Sequence, residues 1–284
     1  MAEAPATAGE MLALAREFLG RKQLPEARLD AELLVAHALG LDRLHLFLGL
    51  DRPVGEPEVA RARELLVRRA GREPTAHLTG VREFYGRPFT VSRDVLVPRP
   101  DSELLVDRAR ALLAGRAGAR VGDVGTGSGC LAITLALELE RATVTAVDLS
   151  APALTVARAN AERLGAAVAF VEGDGPRALA EAAPFDVLLS NPPYIRPDEA
   201  ASLAPEVREH EPALALFLPE GRPDHWLLRL LDEGLPLVAP GGALLVELGA
   251  SQAPRALELA RARGLHARTE RDLAGIERVL EVTR

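Results

Sequence analysis

The sequence is short of cysteine, lysine, aromatics and long apolar runs, and each shortage closes off a class of protein. One cysteine, Cys130, in 284 residues rules out an intrachain disulfide and fits a reducing cytoplasm. Lys22 is the one lysine among 34 basic residues, which 41 acidic residues outnumber for a net charge of −7. Nothing in that balance marks a nucleic-acid binder. The six histidines are scattered without ligand spacing or cysteine partners, so no metal is expected. The start, MAEAPATAGEM, has no basic stretch followed by an apolar run and does not read as a signal peptide. No apolar stretch reaches the length of a membrane span. A soluble, cytoplasmic protein is expected, without a membrane or nucleic-acid partner.

What is there is an ordinary globular balance, 48% hydrophobic and 26% charged, in a chain long enough for one α/β domain and a small accessory domain. Residues 11–70 show helical spacing in three segments, as in Met11, Leu12, Leu14, Phe18 and Leu19, broken by Pro25, Gly40, Pro53 and Pro57. Arg61, Arg63, Arg68, Arg69 and Arg72 form a local basic face that reads either as a solvated helix surface or as a contact surface. Glu83–Gly86 and Phe89–Val91 are β-like, with a turn expected at Gly86-Arg87-Pro88. Asp101 and Ser102 are good N-cap types for a helix through Leu113.

From residue 119 strands and helices alternate. Strands are expected at Arg120–Val124, Thr143–Val147, Val168–Val171, Asp186–Ser190, Ala243–Leu248, His266–Arg271 and Arg278–Thr283. Helices are expected at Leu131–Leu139, Ala151–Leu164, His225–Leu235 and Pro254–Arg263. Such a series argues for a parallel sheet with helices on both faces, binding its ligand outside the carboxyl ends of the strands.

Asp123-Val-Gly125-Thr126-Gly127-Ser128-Gly129 lies where a strand turns into a helix. A dinucleotide enzyme would show G-x-G-x-x-G to seat a pyrophosphate. Here the spacing is G-x-G-x-G, preceded by an acid that repels a pyrophosphate and suits an ammonium and a sulfonium. S-adenosylmethionine fits better than NAD. Asp148 ends the next strand, where a carboxylate accepts from both ribose hydroxyls. Asp174 closes the third, within reach of an adenine amino group. The candidate cofactor contacts are Asp123, Gly125, Thr126, Gly127, Ser128, Gly129, Asp148, Leu149, Asp174, Gly175 and Asn191.

Asn191-Pro192-Pro193-Tyr194 follows the Asp186–Ser190 strand directly. A planar NH₂ donates two hydrogens, and the Asn191 side-chain oxygen and the Pro192 carbonyl together accept both. That would orient the nitrogen toward the sulfonium methyl, so positioning supplies much of the rate. Tyr194 is expected to stack on the flat substrate group. Asn191, Pro192, Pro193 and Tyr194 are the candidate catalytic residues, and the motif points to methylation of an amide or of a base amino group. Arg99 reads either as a grip on an acidic group or as a brace. Glu247 reads either as a hydrogen-bonded core acid or as part of a pocket wall.

With these residues in place the sequence resembles the PrmC/HemK family, the N5-glutamine methyltransferases of peptide chain release factors. Val97–Glu103, Asp123–Gly129, Asn191–Tyr194, Glu206–Leu216, Pro240–Gly249 and Asp272–Val279 match it in order and spacing. The resemblance implies an α/β fold: a Rossmann-like, seven-stranded class I methyltransferase domain at 99–284 ending in an antiparallel hairpin. It also implies a helical bundle at 1–78 that helps grip the release factor, and a β-hairpin linker at 79–98. The implied substrate is the glutamine of a Gly-Gly-Gln loop, and a monomer is expected. In place of the family's usual aromatic after the acid at Asp174, this chain has Gly175 and Pro176. A nucleic-acid adenine N6-methyltransferase would share the glycine loop and the Asn-Pro-Pro-Tyr motif. The acidic charge and the small helical first domain count against it.

Overall fold

A computed structural model of the protein describes residues 5–284. In chain order the helices are α1 (Ala8–Arg21), α2 (Ala27–Ala38), α3 (Arg43–Leu48), α4 (Glu56–Ala70), α5 (Thr75–Thr79), α6 (Glu103–Leu112), α7 (Cys130–Glu138), α8 (Ala151–Leu164), α9 (Pro205–His210), α10 (Ala213–Leu216), α11 (His225–Arg229) and α12 (Ala253–Arg261). The strands are β1 (Val81–Phe84), β2 (Arg87–Thr90), β3 (Arg120–Val124), β4 (Thr143–Asp148), β5 (Val168–Glu172), β6 (Phe185–Ser190), β7 (Val238–Glu247), β8 (His266–Arg271) and β9 (Glu277–Thr283). Among the described residues no helix is long and apolar enough to cross a membrane. The chain divides into two compact units, one of Met1–Val81 with Ala204–His210, the other of Arg82–Leu203 with Glu211–Arg284.

The first unit is helical. Met11, Leu12, Ala15 and Leu19 of α1 face Ala31, Leu34 and Val35 of α2 in one apolar core that also takes Leu46 and Ala62, as the 3.6-residue spacing requires. The arginines from Arg61 onward form the expected basic face only in part: Arg61, Arg63 and Arg68 are exposed, and Arg69 is not. Arg69 is buried, with Nε on Asp30 at 2.8 Å and Nη2 on Glu206 at 3.2 Å. Arg68 donates to both oxygens of Glu73, and Arg61 to the Ala38 carbonyl. A buried charge must be paired to be tolerated, and Asp30 and Glu206 meet that need for Arg69.

The second unit holds a seven-stranded sheet in the order β5-β4-β3-β6-β7-β9-β8. Strands β3 to β7 pair in parallel. β9 runs antiparallel to β7 and β8 antiparallel to β9. All six residues of β6 are buried, the near-continuous apolar run of a central parallel strand. The chain goes outward from β3 to β5 and then returns to place β6 on the other side of β3, so strand order reverses between β3 and β6. Register aligns the ends there: Val124 lies opposite Ser190 and Val147. The loops that follow these three residues therefore leave the sheet side by side. Ser190 Oγ donates to the Val124 carbonyl at 2.7 Å and locks that edge.

Several boundaries differ from the sequence reading. The hairpin turns at Tyr85-Gly86, both at positive φ (52° and 70°), a two-residue loop that suits the twist of its strands, so Arg87 and Pro88 begin β2. The helix expected over His225–Leu235 keeps α geometry only to Arg229, then passes through a π turn (Leu230–Gly234) and a 3₁₀ turn at Leu235–Leu237, because Pro236 cannot continue it. β7 starts earlier than expected, at Val238, and accommodates Pro240 by a register shift against β6. Ser102 does not cap α6 with its side chain. It ends a short 3₁₀ turn, Pro100–Ser102, and its hydroxyl bonds elsewhere.

Candidate functional site

Where strand order reverses, the second unit has a cavity of about 280 Å³. Its floor is the glycine loop. Gly125, Gly127 and Gly129 have φ of 76°, 54° and 82°, a backbone region open to glycine and strained for other residues. A Cβ on Gly129 would also stand 2.7 Å from Ile133 Cδ1, so this position is closed by packing as well. Gly125, Thr126, Gly127 and Ser128 line the cavity, and so does Cys130 at the start of α7. Burial pushes the Cys130 thiol up to about 12, so it packs there as a neutral group.

Asp123 lies under the loop, fully buried, and does not line the cavity. Its Oδ2 accepts from Thr126 Oγ1 at 2.7 Å, while Oδ1 has no hydrogen-bond partner among the described residues. Desolvation pushes this carboxyl up to about 7, with the nearby Asp148 charge acting in the same direction. Asp148, at the end of β4, does line the cavity. Its Oδ2 accepts from the Gly127 N–H at 2.8 Å and its Oδ1 from the Ser150 N–H at 2.9 Å. Those bonds fix the carboxylate and leave further lone pairs for a ligand. Leu149 and Gly175 also line the cavity. Asp174 does not: its carboxylate takes Arg229 Nη1 at 2.7 Å on the exposed side.

Asn191, Pro192 and Pro193 also line the cavity. Asn191 Nδ2 donates to Ser102 Oγ at 3.0 Å, and the Ser102 hydroxyl lies near enough to the Glu247 carboxyl to offset part of the effect of its burial. With Nδ2 directed at Ser102, Oδ1 is the end of the Asn191 amide left to accept from a ligand. Glu247 is buried, its Oε2 without a partner among the described residues, and burial pushes it up to about 7. Tyr194 lies outside the main cavity. It packs over Gly249, where an added Cβ would come within 3.1 Å of its ring, and lines a small hollow with Glu247 and Gln252.

The sequence reading did not single out Ser102 or Trp226, and it left Arg99 undecided; all three line the cavity. Arg99 donates to Glu211 Oε1 at 2.6 Å, and Glu211 Oε2 accepts the Val97 N–H at 3.2 Å, so Arg99 both braces its own segment and borders the cavity. Ser102 carried a signal, a serine before Glu103, but one that also fits an ordinary helix cap. Among the described residues no group of histidine, cysteine and acid side chains has the arrangement of a metal site.

The chain is similar to known proteins in sequence and in fold. A family model of the PrmC N-terminal domain matches residues 10–80, and one of the methyltransferase small domain matches 100–207. The chain is 41% identical over 277 residues to the release factor glutamine methyltransferase of Geobacter sulfurreducens, covering 96% of this chain and 95% of that one. The chain belongs to the release factor glutamine methyltransferase family. The Bordetella pertussis member is 43% identical over 94% of this chain and 98% of its own. The class I methyltransferase fold also appears in a solved 16S rRNA methyltransferase from T. thermophilus in complex with AdoMet and guanosine. That protein is 19% identical over 72% of this chain and 50% of its own, with a TM-score of 0.51, a likeness of fold alone. This family member is thus a methyltransferase, and Asn191, Pro192 and Pro193 of its Asn-Pro-Pro-Tyr segment line the cavity while Tyr194 does not.

Proposed function

We propose that this chain transfers a methyl group from S-adenosylmethionine to the side-chain amide nitrogen, N5, of the glutamine in the Gly-Gly-Gln loop of peptide chain release factors. The observation that carries this is the oriented Asn191 amide at the tip of β6, beside the glycine loop at the tip of β3. The cavity suits the cofactor on its own terms. Asp148 is held by two N–H groups with lone pairs to spare, as a ribose diol needs. The glycine loop presents backbone with no side chains over Gly125 and Gly127, where an added Cβ would meet nothing within 4 Å. Beneath it, Asp123 keeps one buried oxygen unpartnered, in a setting that a nearby positive charge would relieve.

The cofactor supplies a methyl group on a positively charged sulfur. The protein's part is positioning. Asn191 Oδ1 and the Pro192 carbonyl accept the two amide hydrogens of the glutamine, which fixes the nitrogen's direction and increases its electron density. Pro192 and Pro193 have no N–H donors of their own to compete for those acceptors. Ser102 holds the Asn191 amide in the accepting orientation. No general base is required before attack, since the electrophile is already cationic; the amide proton leaves to solvent after transfer. The helical unit, matched by the PrmC N-terminal domain model, contributes to the grip on the release factor.

The test is transfer of labelled methyl from S-adenosylmethionine to a release factor, beside a Gln→Ala variant of its Gly-Gly-Gln loop and a DNA control. Label on the wild-type factor alone supports the proposal. Label on the DNA instead would make the chain an adenine methyltransferase.

A further inference from the structure

The cavity has one aromatic wall that no motif announces. Trp226 is the sole aromatic among its lining residues and the only tryptophan of the chain. It belongs to α11 and borders the cavity together with Gly173 and Gly175, which follow β5. Gly175 has φ of 74°, and a Cβ there would fall 2.5 Å from Arg229 Nη2 and 2.8 Å from its Cζ. The Arg229 guanidinium thus fills the space that a side chain at 175 would need.

That guanidinium is firmly held. Nη1 donates to Asp174 Oδ1 at 2.7 Å, Nη2 to the Asp174 carbonyl at 2.9 Å, and Nη2 again to Glu233 Oε2 at 3.1 Å. Its Cζ stands 5.1 Å from the centroid of the Trp226 ring, within cation–π range. The His225 ring packs edge-on against the same indole at 5.3 Å. Trp226 is therefore a flat surface already seated before any ligand arrives. Asp148 marks the ribose position, and β5 is the next strand outward from β4. A base attached to that ribose extends past the end of β4 toward Gly173 and Gly175, which is where Trp226 stands.

We propose that Trp226 is the surface on which the adenine of the cofactor lies, seated by an Arg229 guanidinium that occupies the space left by Gly175. The proposal rests on reading the cavity as the S-adenosylmethionine site, and its test separates the two. S-adenosylhomocysteine and S-ribosylhomocysteine, which lacks the base, are titrated into the full chain by calorimetry while indole fluorescence is followed. All of that fluorescence comes from Trp226. In the wild type, S-adenosylhomocysteine changes the emission saturably and binds more tightly than the base-free ligand.

Trp226→Leu weakens S-adenosylhomocysteine by about tenfold or more, the usual worth of a base–aromatic stack, and leaves S-ribosylhomocysteine unchanged. Trp226→Phe, which keeps a ring, restores most of the affinity. Equal weakening of both ligands in Trp226→Leu would make the residue structural and overturn the proposal. Tight calorimetric binding with no change in wild-type emission would also overturn it, without recourse to a variant and with the cofactor reading intact. No binding of S-adenosylhomocysteine to the wild type would overturn both.

Discussion

Replacing Ser102 with alanine tests the positioning network directly. Ser102 Oγ is the hydrogen-bond acceptor of Asn191 Nδ2, at 3.0 Å, and it is buried. Alanine removes that acceptor and leaves a part-buried N–H with no partner. One net hydrogen bond contributes about 1 kcal/mol, and stranding a buried donor costs about 1–3 kcal/mol. An amide free to rotate presents Nδ2 rather than Oδ1 to the substrate for part of the time, and Nδ2 repels the amide hydrogens it should receive. If about 1–2 kcal/mol of the orientation preference is lost from the transition state, kcat falls about 5- to 30-fold. Neither cofactor affinity nor the release factor KM depends on that orientation, so both stay near wild type. Ser102→Thr keeps the hydroxyl and recovers most of kcat. The assay is steady-state methyl transfer to a release factor, with calorimetry of S-adenosylhomocysteine alongside. Unchanged kcat in Ser102→Ala, or a loss carried entirely by cofactor affinity, would refute the reasoning.

Two further outcomes follow from the same geometry. Asp148→Ala removes a carboxylate held by two backbone N–H groups and, with it, charge-assisted bonds to the ribose of about 1.5–3 kcal/mol. The Kd for S-adenosylhomocysteine should rise about 10- to 100-fold by calorimetry, and an unchanged Kd would remove Asp148 from the cofactor site. Burial raises Asp123 from 3.8 and Glu247 from 4.5, each to about 7. Between those limits the folded chain holds protons that the unfolded chain has released, so folded-state stability from these groups is complete below about pH 4 and is lost as pH rises to about 7. Denaturant melts of the ligand-free protein should show this fall, and Asp123→Asn should flatten it; a fall of the same size in the variant would assign it to other groups.

The elements that position the site were legible because their causes are local. β3, β4 and β6 are short apolar runs, and each ends in or runs directly into a residue with a chemical reason to be there: Gly125, Asp148 and Asn191. Glycines at positive φ and proline pairs leave a mark on any sequence. What was not legible depends on contacts between distant segments. Ser102 looks like a helix cap until Asn191, 89 residues away, is seen to take its hydroxyl. Asp174 looks like a ligand for adenine until Arg229, 55 residues on, claims it. Trp226 sits in a segment with no motif, and α11 gives way to a π turn that no periodicity predicts. Tyr194, expected to stack on substrate, packs over Gly249, a neighbour whose nearness is set by the pairing of β6 with β7. Arg69 of α4 reads as part of a surface because its partners Asp30 and Glu206 lie far away in the chain.

The claim on which the mechanism depends is that the Asn191 side-chain oxygen holds the reacting amide. Asn191→Ala removes that oxygen and leaves the cofactor loop and Asp148 untouched. Single-turnover transfer with S-adenosylmethionine and release factor both saturating reads the chemical step alone. The account predicts that transfer nearly disappears while S-adenosylhomocysteine still binds. Transfer at the wild-type rate by the folded variant would contradict it.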